Sequence, residues 1–180
     1  MTREGCCGTA SAFVKVSAFL LLFAFILVLL GFAMPMWSTR DDQIEGLWDR
    51  CTGSECVSVS SDPLGGQGWF VFVQVDVTIG LILTMLDVIL TFIMMYDAVC
   101  SGQKAIRIAA VILAFASAGF LLVGCLVYGI RGRLHFTIFY LGFSWGITLT
   151  PVFVLVVAGI LLAVDIDRSN PVYSEAAVYT

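Results

Sequence analysis

The residues with reactive side chains are six cysteines, one histidine and thirteen carboxylates in a chain of 180. Cys51 and Cys56 bracket Thr52, Gly53, Ser54 and Glu55, a polar set suited to a tight turn. That spacing lets the pair close a disulfide, which persists only in an oxidising compartment. Cys6, Cys7 and Cys100 lie just outside apolar runs, where palmitoylation acts, whereas Cys125 lies inside one and reads as packing. His135, beside Arg131 and Arg133, could sense pH, although a solvated loop histidine is the plainer reading. It has no nucleophile pattern around it, no glycine-rich phosphate loop precedes a helix, and no cysteine spacing reads as zinc. Neither enzyme, cofactor nor metal is expected. Asn170 precedes Pro171, so it is no N-glycosylation acceptor.

The elements that carry these residues follow from hydropathy. The chain is 60% hydrophobic and 12% charged, with a mean hydropathy of +1.02, against a soluble balance of about half apolar and a quarter charged. No charge occurs between Lys15 and Arg40, a stretch long enough to cross about 30 Å of hydrocarbon. It ends in Met34, Pro35, Met36 and Trp37 rather than at a small-residue cleavage site, and reads as an uncleaved signal anchor. Spans are predicted at about 14–34, 77–97, 108–130 and 138–164, with loops at 35–76 and 131–137 and a polar tail at 165–180, all in one four-span domain covering 1–180. Trp69 to Asp76 alternates between two faces and is expected to be a strand, so that span two begins near Asp76.

Lys and Arg counts on the two sides nearly tie, so charge does not orient the chain. The Cys51/Cys56 turn puts the main loop outside and both termini in the cytosol. A net charge of -4 with no basic run excludes a nucleic-acid partner. Ala110, Ala114 and Ala118 in span three, and Gly142 and Gly146 in span four, are spaced for close helix approach, and Pro151 should kink span four or leave a carbonyl for a neighbour to satisfy.

Asp87 lies near the middle of predicted span two, with Asp76 eleven residues earlier on almost the same helical face. A carboxylate at that depth costs about 2.5–3.5 kcal/mol even on the mild insertion scale. One reading is an ion or proton path. The favoured one is a protonated or hydrogen-bonded packing residue, with Ser117 at matching depth and Asp76 at the outer interface.

Trp37, then Gly46-Leu47-Trp48, then Cys51 and Cys56, all in the first loop of a four-span chain, resemble the signature of the claudin, peripheral myelin protein and epithelial membrane protein superfamily. Tyr140-Leu141-Gly142-Phe143 at the start of span four is similar to a claudin pattern as well. The short spacing from Trp37 to Trp48, the close cysteines and the brief second loop mark a divergent member, of the invertebrate kind. The resemblance implies a left-handed four-transmembrane bundle carrying a small, disulfide-stapled extracellular antiparallel sheet built from loop one and the start of span two. Trp37 and Trp48 suit the membrane interface.

It further implies a structural protein of the plasma membrane that associates side by side in cis, with itself or with other claudin-like chains. Such a protein forms or regulates cell-cell adhesion and tight junctions, as a paracellular barrier or a pore, and the loop's own excess of acids, with Asp41, Asp42 and Glu45 as the candidates, points to a cation-preferring one. The rival expectation is an auxiliary subunit of an ion channel or receptor, and a third is an ion-conducting unit using Asp87. The final Val178-Tyr179-Thr180 does not match a claudin tail that binds PDZ scaffolds.

Overall fold

A computed structural model of the chain describes residues 11–40, 43–59, 68–96, 103–135 and 140–168. Four helices dominate it: α1 (Ala12–Ala33), α2 (Gly68–Tyr96), α3 (Gln103–His135) and α4 (Phe143–Arg168). All four are long and apolar enough to cross a membrane.

α1 starts at Ser11, whose hydroxyl caps the helix by accepting from the Val14 amide at 3.3 Å. It stops where Pro35 cannot continue it, with the Met34 amide still bonded to the Leu30 carbonyl at 2.9 Å. The helix is apolar all round, so size rather than polarity sets its faces: Ser17, Ala18, Ala24 and Gly31 are buried, while Phe19, Phe23 and Ile26 are exposed, as suits lipid.

α2 packs on α1 and α3, and α4 packs on α1 and α3. Along α2 the buried residues Phe70, Val73, Val77, Gly80, Thr84, Asp87, Thr91 and Met94 recur at alternating intervals of three and four, the seam of an antiparallel bundle. This corrects the strand expected over 69–76. Those residues are the first turns of α2, which begins at Gly68 and not near Asp76. Alternation carries no information in a run whose members are nearly all apolar, and inside the helix Val71, Phe72 and Val75 are left exposed.

α3 stays helical through the expected second loop to His135, and α4 holds Asp165 in its last turn rather than in a tail. α4 also runs unbroken across Pro151, where the hydroxyls of Thr148 and Thr150 donate to carbonyls one turn back, at Ser144 and Gly146. Ala110, Ala114 and Ala118 are buried, and Gly159 of α4 lies where a Cβ would come 3.3 Å from that of Ala114.

Over one end of the bundle lies a five-stranded antiparallel sheet: β1 (Ser38–Arg40), β2 (Gln43–Glu45), β3 (Asp49–Thr52), β4 (Glu55–Ser58) and β5 (Tyr140–Leu141), in the order β4-β3-β2-β1-β5. The fifth strand comes from the residues before α4, in place of the start of α2. Gly53, at φ +61°, makes the turn between β3 and β4. Just behind it Cys51 faces Cys56 directly, Cα atoms 4.0 Å apart, and the two are bonded.

Candidate functional site

The site is the joint that seats the sheet on the helices, and Trp37 is its centre. Between the end of α1 and the start of β1, Trp37 is wholly buried. Its Nε1–H donates to the Gly31 carbonyl at 2.8 Å, its amide donates to the Glu45 carbonyl at 2.9 Å, and its carbonyl accepts from the Gly142 amide at 2.8 Å. Through its indole and its backbone together, Trp37 therefore ties α1, β2 and the start of α4. This corrects its expected interfacial placement: every polar group of Trp37 is satisfied by protein, so it needs no contact with water. Trp48 does remain at the surface, 40% exposed, with its ring edge-on to Phe32 at 5.1 Å.

The rest of the tryptophan motif has a physical reason at each position. Gly46 passes so close to the end of α1 that a Cβ would lie 2.5 Å from Pro35 Cα, a backbone atom that cannot step aside. Leu47 is buried, and its carbonyl accepts from Gln74 Nε2 of α2 at 2.7 Å. The Trp48 carbonyl accepts from the Val59 amide at 2.9 Å, which closes the hairpin carrying the disulfide. Gly142 passes against the Met36 carbonyl with no room for a side chain. Gly146, by contrast, has nothing within 4 Å of where a Cβ would stand, so it is not a close-approach position.

A polar chain continues from the bundle into the sheet. The Tyr128 hydroxyl of α3 donates to Ser38 Oγ at 2.9 Å, Ser38 Oγ donates to Glu45 Oε2 at 3.4 Å, and Glu45 pairs with Arg50. Ser38, Glu45, Arg50 and Val57 form one cross-strand row, so Glu45 shares the face that meets Tyr128. Glu45 is thereby removed from the expected charge-selectivity set, because its carboxylate is half-buried and spoken for. The other row, Thr39, Ile44, Cys51 and Cys56, turns outward. Asp49 and Glu55 are exposed.

Sequence reasoning missed Tyr128, Ser38, Gly31 and Gln74. Tyr128 carried a signal, since a phenol inside an apolar helix needs a polar partner. The opposite end of the bundle holds a second missed cluster. Asp165 accepts from the Ser11 hydroxyl and pairs with Arg107 Nη1 at 2.9 Å, clasping α4 to α1 and α3, while the Arg168 guanidinium sits over the Phe13 ring at 4.8 Å.

Within α2, Asp76 is buried and Asp87 wholly so. Ser117 does not serve Asp87: its hydroxyl donates to the Gly80 carbonyl at 3.0 Å and bonds with Thr84 Oγ1 one turn nearer the sheet. Both Asp87 oxygens lack a hydrogen-bond partner among the described residues. Cys125 is a buried free thiol. Cys6, Cys7, Cys100, Asp41, Asp42 and Asn170 lie outside the described residues, as do the side chains of Arg133 and His135. Among the described residues no three His, Cys, Asp or Glu side chains converge as metal ligands.

Four apolar helices capped by a disulfide-stapled sheet define a multi-pass membrane protein of the claudin-like class. The family model described as PMP-22/EMP/MP20/Claudin matches residues 11–162, and the chain belongs to that family, a structural and non-enzymatic one. The chain has no significant match among curated protein sequences.

Proposed function

We propose that this protein builds or regulates cell-cell junctions by assembling side by side in the plasma membrane, with the sheet outside the cell and both termini in the cytosol. The observation that carries this reading is a braced extramembrane sheet held to the bundle by buried partners on all sides of Trp37. A seat of that kind fixes the sheet's direction relative to the membrane, which a surface shared between neighbouring chains requires. The disulfide between β3 and β4 supports the outside placement, since such bonds persist in oxidising compartments. Four candidate spans among the described residues support both ends lying on the face opposite the sheet, the cytosolic one in this reading.

Exposed Asp49 and Glu55, with Asp41 and Asp42 in the sequence between β1 and β2, would give an aqueous path beside the sheet a negative wall. Such a wall concentrates cations. A tagged chain expressed in contacting cells tests the reading: a band confined to cell borders supports it, and an even distribution over free and contacting membrane contradicts it.

The auxiliary-subunit reading is favoured by one feature. Residues 136–139 alone separate α3 from β5, and β5 is itself paired into the sheet, so little chain is left there to reach an opposing cell. Co-purification of a channel or receptor with the tagged chain, without border enrichment, selects it.

A further inference from the structure

The sheet joint leaves one chemically active feature unexplained. Asp87 sits on the α2–α3 seam with no exposed surface and no partner for either carboxylate oxygen among the described residues. One turn further on, the Thr91 hydroxyl is equally buried and equally without a partner. The antiparallel register is fixed by Ser117 against Gly80 and by Val77 beside Gly124. It brings Asp87 level with Ala114 and Thr91 level with Ala110, both wholly buried and neither offering a donor.

Among the described residues the other elements bring no buried charge to this level; Lys15 of α1, two residues from Ser17, is exposed. α4 places Gly159 against Ala114, and α1 brings Ser17, whose hydroxyl donates to the Ala158 carbonyl at 3.4 Å. The charged groups on α3 are Lys104, Arg107, Arg131 and Arg133, with Cys125, Tyr128 and His135 as further titratable groups. α1 has Lys15, α4 has Asp165, Asp167 and Arg168, and α2 itself has Asp76. The nearest cation along the seam, Arg107, stands roughly two turns away, about 10 Å at 1.5 Å per residue. It is already paired with Asp165.

An ionised carboxylate without a donor or a countercharge is not stable in such packing, and the group neutralises instead. Calcium would need six to eight oxygens, and among the described residues the side-chain oxygens left without partners at this level are the two of Asp87 and the one of Thr91. A proton needs only one of them. It converts the carboxylate to a carboxylic acid, which gains an O–H that can donate, and Thr91 stands at the i+4 position where side chains meet on a helix.

We propose that Asp87 is a proton-binding site of the bundle, held as the neutral acid with its O–H directed to Thr91, which gives up its proton to water only when α2 and α3 part. Helix separation and proton release are then one event. Because the packed state binds a proton that the separated state lacks at neutral pH, stability falls as pH rises above the ordinary carboxylate range. It levels off once Asp87 is ionised in both states.

The test is infrared spectroscopy of the full chain in lipid at neutral pH. The wild-type spectrum minus that of Asp87→Asn should show the carbonyl stretch of a neutral carboxylic acid, and Thr91→Val should move that band while keeping it. Absence of any neutral-acid band from the wild type overturns the proposal whether or not Asp87→Asn folds. A second arm follows thermal unfolding from about pH 5 to about pH 9, where the wild-type midpoint should fall and that of Asp87→Asn should stay level. Parallel slopes overturn it. A wild-type midpoint that responds to exchanging choline for sodium, lost in Asp87→Asn, assigns the site to a metal cation and also overturns it.

Discussion

Trp37 and Tyr128 meet edge to face, ring centroids 5.1 Å apart at 73°, so the loop after α1 and the C-terminal part of α3 share one buried contact under the sheet. The indole supplies area and a hydrogen bond to Gly31, and the phenol supplies the start of the polar chain through Ser38 to Glu45. Trp37→Ala should cost about 3–5 kcal/mol, as large aromatic truncations in a core do. Tyr128→Phe keeps the ring and loses one neutral hydrogen bond, at about 1 kcal/mol. Thermal unfolding of detergent-purified protein checks the ranking, and equal losses would mean that the phenol's hydroxyl, not the aromatic contact, holds the joint.

Gly142 and Gly146 stand one turn apart in chain order yet should respond oppositely to alanine. At Gly142 the added methyl meets the Met36 carbonyl, a backbone atom fixed by its bond to the Ser144 amide at 3.0 Å. Gly142→Ala should therefore displace the sheet and lower folded yield. Gly146→Ala meets open space inside a helix and should be neutral or stabilising, by up to about 1 kcal/mol from helix propensity. Surface display of the two variants, read by fluorescence, separates them.

Replacing Cys51 and Cys56 together by serine should lower stability by about 2 kcal/mol on the chain-entropy account of so short a loop. The fold should survive, because the hairpin also keeps its Val59 to Trp48 bond. In intact cells, labels should reach a tag in the turn at Gly53 and Ser54 from outside and miss tags at either terminus. Labelling of a terminus from outside would invert the proposed topology.

At the far end, Asp165→Ala leaves Arg107 and the Ser11 hydroxyl without their shared acceptor. The expected cost is about 1.5–3 kcal/mol, the range for hydrogen bonds to charged groups. Arg107→Leu together with Asp165→Leu should recover part of it, as removing both members of a buried pair does. A double-mutant cycle on unfolding midpoints measures the coupling, and additive single effects would show that the pair contributes nothing jointly.

Charge changes on the sheet should divide by face. Glu45→Gln loosens the Arg50 pair and should reduce folded yield, whereas Asp49→Asn with Glu55→Gln should leave yield intact and reduce the sodium-over-chloride preference of a cell layer expressing the chain. A dilution potential unchanged by the exposed pair would remove the cation-path part of the proposed function.

What the sequence disclosed and what it hid divides along range of interaction. The Cys51–Cys56 bond and the turn at Gly53 are local and were legible, as were the four apolar runs. The strand expected over 69–76 failed because a membrane helix needs no polar face, so Phe70 and Val73 gave no period to read. Ser117 was expected at the depth of Asp87, but its hydroxyl goes to Gly80 and Thr84, about one helical turn nearer the sheet. Asp165 was assigned to a tail because its partners, Ser11 and Arg107, are distant in sequence.

The pairing of β1 with β5 decides how the molecule carries load. β1 continues from α1 and β5 runs into α4, and those two helices also touch at Gly31 and Thr148. A sideways tug on the sheet from an adjoining protein is therefore taken up as shear between β1 and β5, against a ladder whose two ends are rooted in one helix pair. α2 receives the same tug through the Gln74 to Leu47 bond. The α1–α4 pair thus holds the sheet through the strands that adjoin it in the chain, whereas α2 and α3 also brace it by side chains, Gln74 against Leu47 and Tyr128 against Ser38.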